Sequence, residues 1–166
     1  MSAIIEVKNF VDCPEAIPFV AEQLFNQWFA TRQGETLEGL IARMRQGKRD
    51  AIPVGLIAFV DGEPAGTVSL LEKDLDECGD LRPWLAGLLV FPKYRTVGAG
   101  RALIERLIQV ADEIGESELF LWTEIPALYA KFGWTEVQGV ASDKKAVVMC
   151  RKSGIKSGIK RDRAER

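Results

Sequence analysis

Two periodicities alternate along the chain. Residues 52–60 and 64–72 are β-branched and apolar, and Asp61-Gly62-Glu63 joins them; the Asp-Gly pair supplies the positive φ angles of a tight hairpin. Residues 3–8 predict an earlier strand, and Leu119-Phe120-Leu121-Trp122 a later, buried one. Helical spacing takes over elsewhere. Ile17, Val20, Ala21, Leu24, Phe25, Trp28 and Phe29 share one face of a first helix, with Asp12 or Cys13 at its cap and Pro14 in its first turn. Leu37, Leu40, Ile41 and Met44 give a second, shorter stripe after Gly34. Ala99, Ala102, Leu103, Leu107, Val110, Ala111 and Ile114 form the strongest one, which Gly115 ends. Pro126 opens a short helix carrying Tyr129, closed by Gly133, and residues 135–140 and 146–150 read as two final strands around a turn at 142–144.

The stretch from Trp84 to Ile114 organises the rest. An apolar run through Val90 is stopped by Phe91-Pro92, because proline offers a sheet no N–H. Gly98 and Gly100 then allow a tight turn directly into the longest helix. A helix start of this kind aims free N–H groups and a positive dipole end at whatever lies over the turn, and suits a phosphate. The plainer reading is a tight connection with no guest. A P-loop is excluded by the lack of Gly-Lys-Ser/Thr, and the dinucleotide fingerprint by Leu103 in place of its third glycine.

What remains is Arg95-x-x-Gly98-x-Gly100, and about thirty residues on stands Ala127-Leu128-Tyr129-Ala130-Lys131-Phe132-Gly133-Trp134. The first resembles the Arg/Gln-x-x-Gly-x-Gly/Ala signature of the GCN5-related N-acetyltransferase family, the second its Leu/Phe-Tyr-x-x-x-Gly-Phe/Trp segment. The resemblance covers residues 3–151. It implies an α/β fold with a mixed, twisted sheet of six or seven strands flanked by about four helices. It also implies acetyl-coenzyme A as cosubstrate, with no metal, and direct transfer of the acetyl group to a primary amine of a small molecule or a peptide α-amine. The first two helices would lie over the acceptor. Backbone groups of Leu88, Leu89 and Val90 would hold the pantetheine arm and the acetyl oxygen. Thr96, Val97, Gly98, Ala99, Gly100 and Arg101 would wrap the pyrophosphate, with charge from Arg95 and Arg101, although Arg101 also reads as a solvated helix residue.

Tyr129 matches the tyrosine that protonates the departing thiolate, a task suited to a phenol of pKa about 10. The base is not transferable, because some relatives carry a glutamate in the strand after the coenzyme helix and the matching position here is Trp122. Glu72 is the first candidate, with Asp74 and Glu124 as alternatives. A competing reading is a coenzyme-binding regulatory or interaction module without turnover, but such a module has no need of Tyr129.

Composition narrows the chemistry further. At 166 residues and 47% hydrophobic, the chain supports one core, so residues 1–151 are expected to form one domain. The absence of histidine excludes Ser-His-Asp and Cys-His nucleophile systems and disfavours zinc. Cys13, Cys78 and Cys150 are odd in number and widely spaced, as reduced thiols are. A net charge of -2 gives no overall attraction to nucleic acid. The amino terminus lacks a signal-peptide pattern and no apolar run spans a bilayer, so no membrane partner and a cytoplasmic location are expected. Lys73-Asp74-Leu75-Asp76-Glu77-Cys78-Gly79-Asp80 reads as a solvated acidic loop. Residues 152–166 repeat Ser-Gly-Ile-Lys and then turn highly charged, which predicts a basic tail with nothing to anchor a core. Pairing with a second copy as a homodimer stays open.

Overall fold

The computed structural model describes residues 2–137 and 145–152. Its strands are β1 (Ile5–Asn9), β2 (Val54–Val60), β3 (Glu63–Leu71), β4 (Trp84–Val90), β5 (Glu118–Thr123), β6 (Thr135–Glu136) and β7 (Val147–Lys152). They form one seven-stranded sheet in the order β1-β2-β3-β4-β5-β7-β6. Its helices are α1 (Ile17–Leu24), α2 (Leu37–Arg45), α3 (Ala99–Ile114) and α4 (Pro126–Ala130). Every strand pairing is antiparallel except β4 with β5, which α3 connects as a crossover. The mixed sheet with four helices expected from the resemblance is therefore present.

Both faces of the sheet are covered. Leu56 and Ala58 of β2 join Leu103, Ile104 and Leu107 of α3 in one core. Ile57, between them, points to the opposite face and packs with Val20, Ala21 and Leu24 of α1 and with Leu40 and Met44 of α2. That double burial explains why β2 reads as a continuous apolar run rather than an alternating one. The hairpin forms as expected: Asp61 and Gly62 take φ of 49° and 84° between the paired Val60 and Glu63. Gly115 ends α3 at φ 100°, its amide and that of Glu116 closing back on Ala111 at 3.1 and 3.0 Å.

Several boundaries differ from the sequence expectation. The first helix does not start at Pro14; two short 3-10 turns, Phe10–Asp12 and Pro14–Ala16, precede it. Pro18 is the reason, since it has no N–H to give the carbonyl of Pro14. That helix then widens into a π turn over Phe25–Phe29, where the amide of Ala30 reaches the carbonyl of Phe25 at 2.8 Å. The penultimate strand is only Thr135–Glu136 in the described residues; the expected turn at 142–144 lies outside them. Lys152, expected to begin the tail, is still paired with Glu118, and the rest of the tail lies outside the described residues.

Strand β4 is the irregular one. Thr67 faces Leu89 and Ser69 faces Ala86, so Val68 alone stands against Gly87 and Leu88. Gly87 takes φ 63°, the left-handed residue of a bulge that bends and twists the strand. On the other side of β4 the parallel ladder with β5 contains a single pair, Trp84 with Phe120, supported by the Phe120 amide on the Pro83 carbonyl at 2.9 Å. Beyond that step the two strands part.

The approach of β3 to β4 is tight at the far end of β4, where Gly66 pairs with Val90. A Cβ at Gly66 would stand 2.6 Å from the Leu89 carbonyl oxygen and 3.3 Å from Leu103 Cδ1. Neither the backbone nor the packed α3 can give way freely. Gly66→Ala is therefore expected to destabilise the domain by about 1–3 kcal/mol, measured as a lowered midpoint in urea unfolding. An unchanged midpoint would mean that β4 is not held against β3 as described.

Candidate active site

The parting of β4 and β5 opens a cavity of about 680 Å³ between the sheet and the α1–α2 side. Gly87 and Leu88 of β4 form one wall, Leu121 and Trp122 of β5 another, with Tyr129 of α4 beside them. Helix α1, its π turn and α2 supply the roof through Leu24, Trp28, Phe29, Leu40 and Met44. Phe10 reaches in from the side because Gly55 has no side chain; a Cβ there would fall 2.0 Å from the Phe10 ring.

Just beyond β4 the chain enters the Gly98 turn. Gly98 sits at φ 95° as the N-cap of α3, and the amide of Ala102 is the first to reach a helix carbonyl, that of Gly98 at 3.1 Å. The amides of Ala99, Gly100 and Arg101 thus have no acceptor among the described residues. Thr96 and Val97 are exposed beside them. The two glycines have different reasons: Gly98 needs its φ, whereas Gly100 needs its size, since a Cβ there would lie 3.2 Å from Val90 Cγ2. Arg95 donates from Nε to the Val90 carbonyl at 3.2 Å, which ties the turn to the strand end. Arg101 meets Glu105 at 2.9 Å one helical turn on, with three quarters of its side chain exposed. Such an exposed pair contributes little, about 0.3–0.5 kcal/mol, and leaves Arg101 solvated.

Tyr129 is buried at 8% exposure, its ring edge-on to Trp134 with centroids 6.3 Å apart. Its hydroxyl has no hydrogen-bond partner among the described residues. Burial pushes the phenol up from its ordinary value, so it holds its proton at neutral pH. Trp134 Nε1 is likewise without a partner among the described residues.

The carboxylates separate clearly. Glu72 does not reach the cavity: its oxygens take Nε and Nη2 of Arg82 at 2.6 and 2.8 Å, and the same guanidinium also holds Glu116. The Arg82 bond keeps the Glu72 carboxyl below its usual range, which suits an ion pair and makes a poor base. Glu124 is exposed and does not line the cavity either. Asp74 does line it, and Trp122 Nε1 donates to its Oδ2 at 2.8 Å. Burial of the carboxyl raises its pKa, against smaller opposing effects of the Trp122 bond and the Arg32 charge. A residue of the expected solvated loop thus brings a carboxylate to the indole of Trp122. The sequence signal was an acidic residue two positions past an apolar strand, which does not distinguish Glu72 from Asp74.

The Trp122–Asp74 bond yields a direct check. Trp122→Phe removes the donor that holds the carboxylate charged, so the Asp74 pKa is expected to rise further, read by NMR titration of its side-chain carbon. An unmoved titration would mean that the bond is not made in solution.

The family model described as Acetyltransferase (GNAT) family matches residues 18–134. No curated protein matches the chain. Among solved structures, the chain is similar to an aminoglycoside 6'-N-acetyltransferase complexed with coenzyme A, with TM-score 0.69 and 14% identity over 91% of this chain and 98% of that one. It is similar to the PaiA N-acetyltransferase of Thermoplasma acidophilum in complex with coenzyme A, with TM-score 0.64 and 19% identity over 90% and 99%. The N-acetylglutamate synthase of Neisseria gonorrhoeae, complexed with coenzyme A and L-arginine, aligns with TM-score 0.65 and 17% identity, covering 93% of this chain and 34% of its own. At these identities the structures speak for the fold, whereas the family model spans most of the chain, including the Gly98 turn, the parted strands and the Tyr129 helix: the chain belongs to the acetyltransferase (GNAT) family of N-acetyltransferases.

Proposed function

We propose that this protein transfers the acetyl group of acetyl-coenzyme A to a primary amine, of a small molecule or a peptide α-amine, with Tyr129 as acid and Asp74 as base. The observation that carries the reading is the continuity of the Gly98 turn with the parted edge of β4. Acceptor-free amides at the start of α3 fit a pyrophosphate, and the open edge at Leu88 and Leu89 fits an amide-bearing arm leading from it into the cavity. Coenzyme A in the complexes of the structural relatives supports the same ligand. When bound, the coenzyme supplies an acetyl thioester.

The chain's own residues then have few tasks, because holding two reactants in place can itself supply much of the rate. The backbone of Leu88 and Leu89 orients the donor. Asp74 takes a proton from the acceptor nitrogen, a C–N bond forms as the C–S bond breaks, and Tyr129 Oη gives its proton to the departing sulfur. Trp122 fixes the carboxylate at 2.8 Å throughout. Asp74 takes the place in this scheme that the sequence assigned first to Glu72. A carboxylate is a weak base for a lysine-like amine, which requires roughly 4.6 kcal/mol to deprotonate at pH 7; a peptide α-amine requires only about 1. The easier amines are therefore favoured.

Binding and chemistry can be tested separately. Gly98→Val forces a β-branched residue into the left-handed region and is expected to leave a folded domain with acetyl-coenzyme A affinity at least about tenfold weaker by calorimetry; unchanged affinity would remove the turn from the site. Tyr129→Phe loses no hydrogen bond to the described residues, so stability should hold while kcat falls about 10²- to 10⁴-fold with little change in coenzyme KM. Full turnover in that variant would end the acid role.

The pH dependence of Asp74 has a defined sign. Its native pKa lies above the unfolded value, so its charge costs stability as pH rises through the unfolded and then the native value, and that loss persists at neutral pH. Asp74→Asn should therefore match or exceed the wild type in Tm at pH 7 while losing the acidic limb of the rate profile. A profile that keeps this limb in Asp74→Asn would return the base role to another group.

A further inference from the structure

Four charged side chains line the cavity: Arg32, Glu35, Arg43 and Asp74. Two neutralise each other, Arg43 Nη2 lying 2.7 Å from Glu35 Oε2. The other two do not touch. Arg32 makes no ion pair among the described residues; its guanidinium instead stacks on the Phe29 ring, 4.7 Å from the centroid. Asp74 is held from the other side by Trp122. They are still close enough for the Arg32 charge to act on the Asp74 carboxyl. The cavity thus presents one fixed cation and one fixed anion, each with coordination to spare.

We propose that the acceptor is a free α-amino acid with an apolar side chain, its carboxylate received by Arg32 and its amine directed to Asp74. This rests on the acetyl-transfer reading and narrows its acceptor. A zwitterion is what such a pair complements, since a guanidinium offers a planar fork to a carboxylate. A polycation would meet two arginines in the wall and only one carboxylate not already engaged by an arginine. A simple anion would meet Asp74. The side chain has an apolar place to go, among Phe10, Leu24, Trp28, Leu40 and Met44. The pairing also assists the chemistry: a carboxylate next to an ammonium holds its proton on, and engaging that carboxylate with Arg32 weakens the hold. Arg32 is in this sense a specificity residue, reached through the π turn that carries Trp28 and Phe29 into the roof.

The test compares L-phenylalanine and L-leucine with their primary amides and with spermidine, using the full chain. Calorimetry measures binding, and thiol release from acetyl-coenzyme A measures transfer. The free acids are expected to bind, and to show kcat/KM at least about tenfold above the amides, the loss that a charged hydrogen-bonded contact brings. Arg32→Gln should lower kcat/KM for the acids about 10- to 100-fold and close the gap to the amides, with Arg32→Lys recovering part of it. Amides or spermidine equal to or better than the acids would overturn the proposal, as would an Arg32→Gln variant that loses acid and amide alike. Turnover of amides alone would leave acetyl transfer standing and remove only the zwitterion. Binding of the acids without thiol release from any amine would do the reverse, and a chain that binds neither coenzyme nor acid would remove both.

Discussion

The parting of β4 from β5 is the constraint on which the other features depend. Two adjacent parallel strands ordinarily share a ladder along their length, because each backbone N–H and C=O needs a partner. Here the ladder has one step, at Trp84 and Phe120, whose rings pack with centroids 5.8 Å apart. At that end the strands are pinned by aromatic packing. At the other, Gly87 adopts φ 63° and Val68 faces two residues, so β4 turns away from β5 while staying on β3. The strand edge so released opens into the cavity rather than into the core, where water or a ligand's amides can pair it. Helix α3 makes the arrangement affordable: Leu103 and Leu107 are fully buried beneath β2 and β3, and they anchor the Gly98 turn at the mouth of the gap.

Most of this architecture was legible in the sequence because burial imposes a period. The 3.6 spacing of α3, the Asp-Gly hairpin and the Gly115 stop are local signals, and each appears where expected. The Gly98 turn was legible for the same reason, being a local backbone requirement. Gly87 was not, although a glycine inside an apolar strand is itself a sign of a bulge. Pro18 was overlooked beside the stronger apolar stripe, and the π turn at Phe25–Phe29 leaves no mark on a face that stays apolar at either helical period. Which carboxylate lines the cavity was the least legible of all. Glu72 and Asp74 stand two residues apart at the end of one strand, and what separates them is tertiary: Arg82 engages the first, and Trp122, 48 residues from Asp74, engages the second.

Charge is distributed with the same economy. Arg49 with Asp12, Arg82 with Glu72 and Glu116, Arg101 with Glu105 and Arg106 with Glu113 form pairs on the surface, where they add little stability. The acidic loop after β3 reads as one more solvated segment by composition, and Asp76 and Glu77 are indeed exposed. Its consequence for the site comes from Asp74 alone. Asp74 is exposed as well, and a single indole donor fixes its carboxylate at the wall of the cavity.

The position of Asp74 also bears on how a carboxylate can serve an amine. In water the gap between a carboxyl and an ammonium is several pK units, too wide for efficient proton transfer. Burial narrows it from both sides: it raises the carboxyl, as it does for Asp74, and lowers an ammonium placed in the same surroundings. The Trp122 bond and the Arg32 charge act in the opposite sense on the carboxyl, with smaller effects. Tyr129 is shifted upward by burial as well, so the phenol holds its proton at neutral pH. Desolvation therefore moves both groups upward, in a chain that has no histidine.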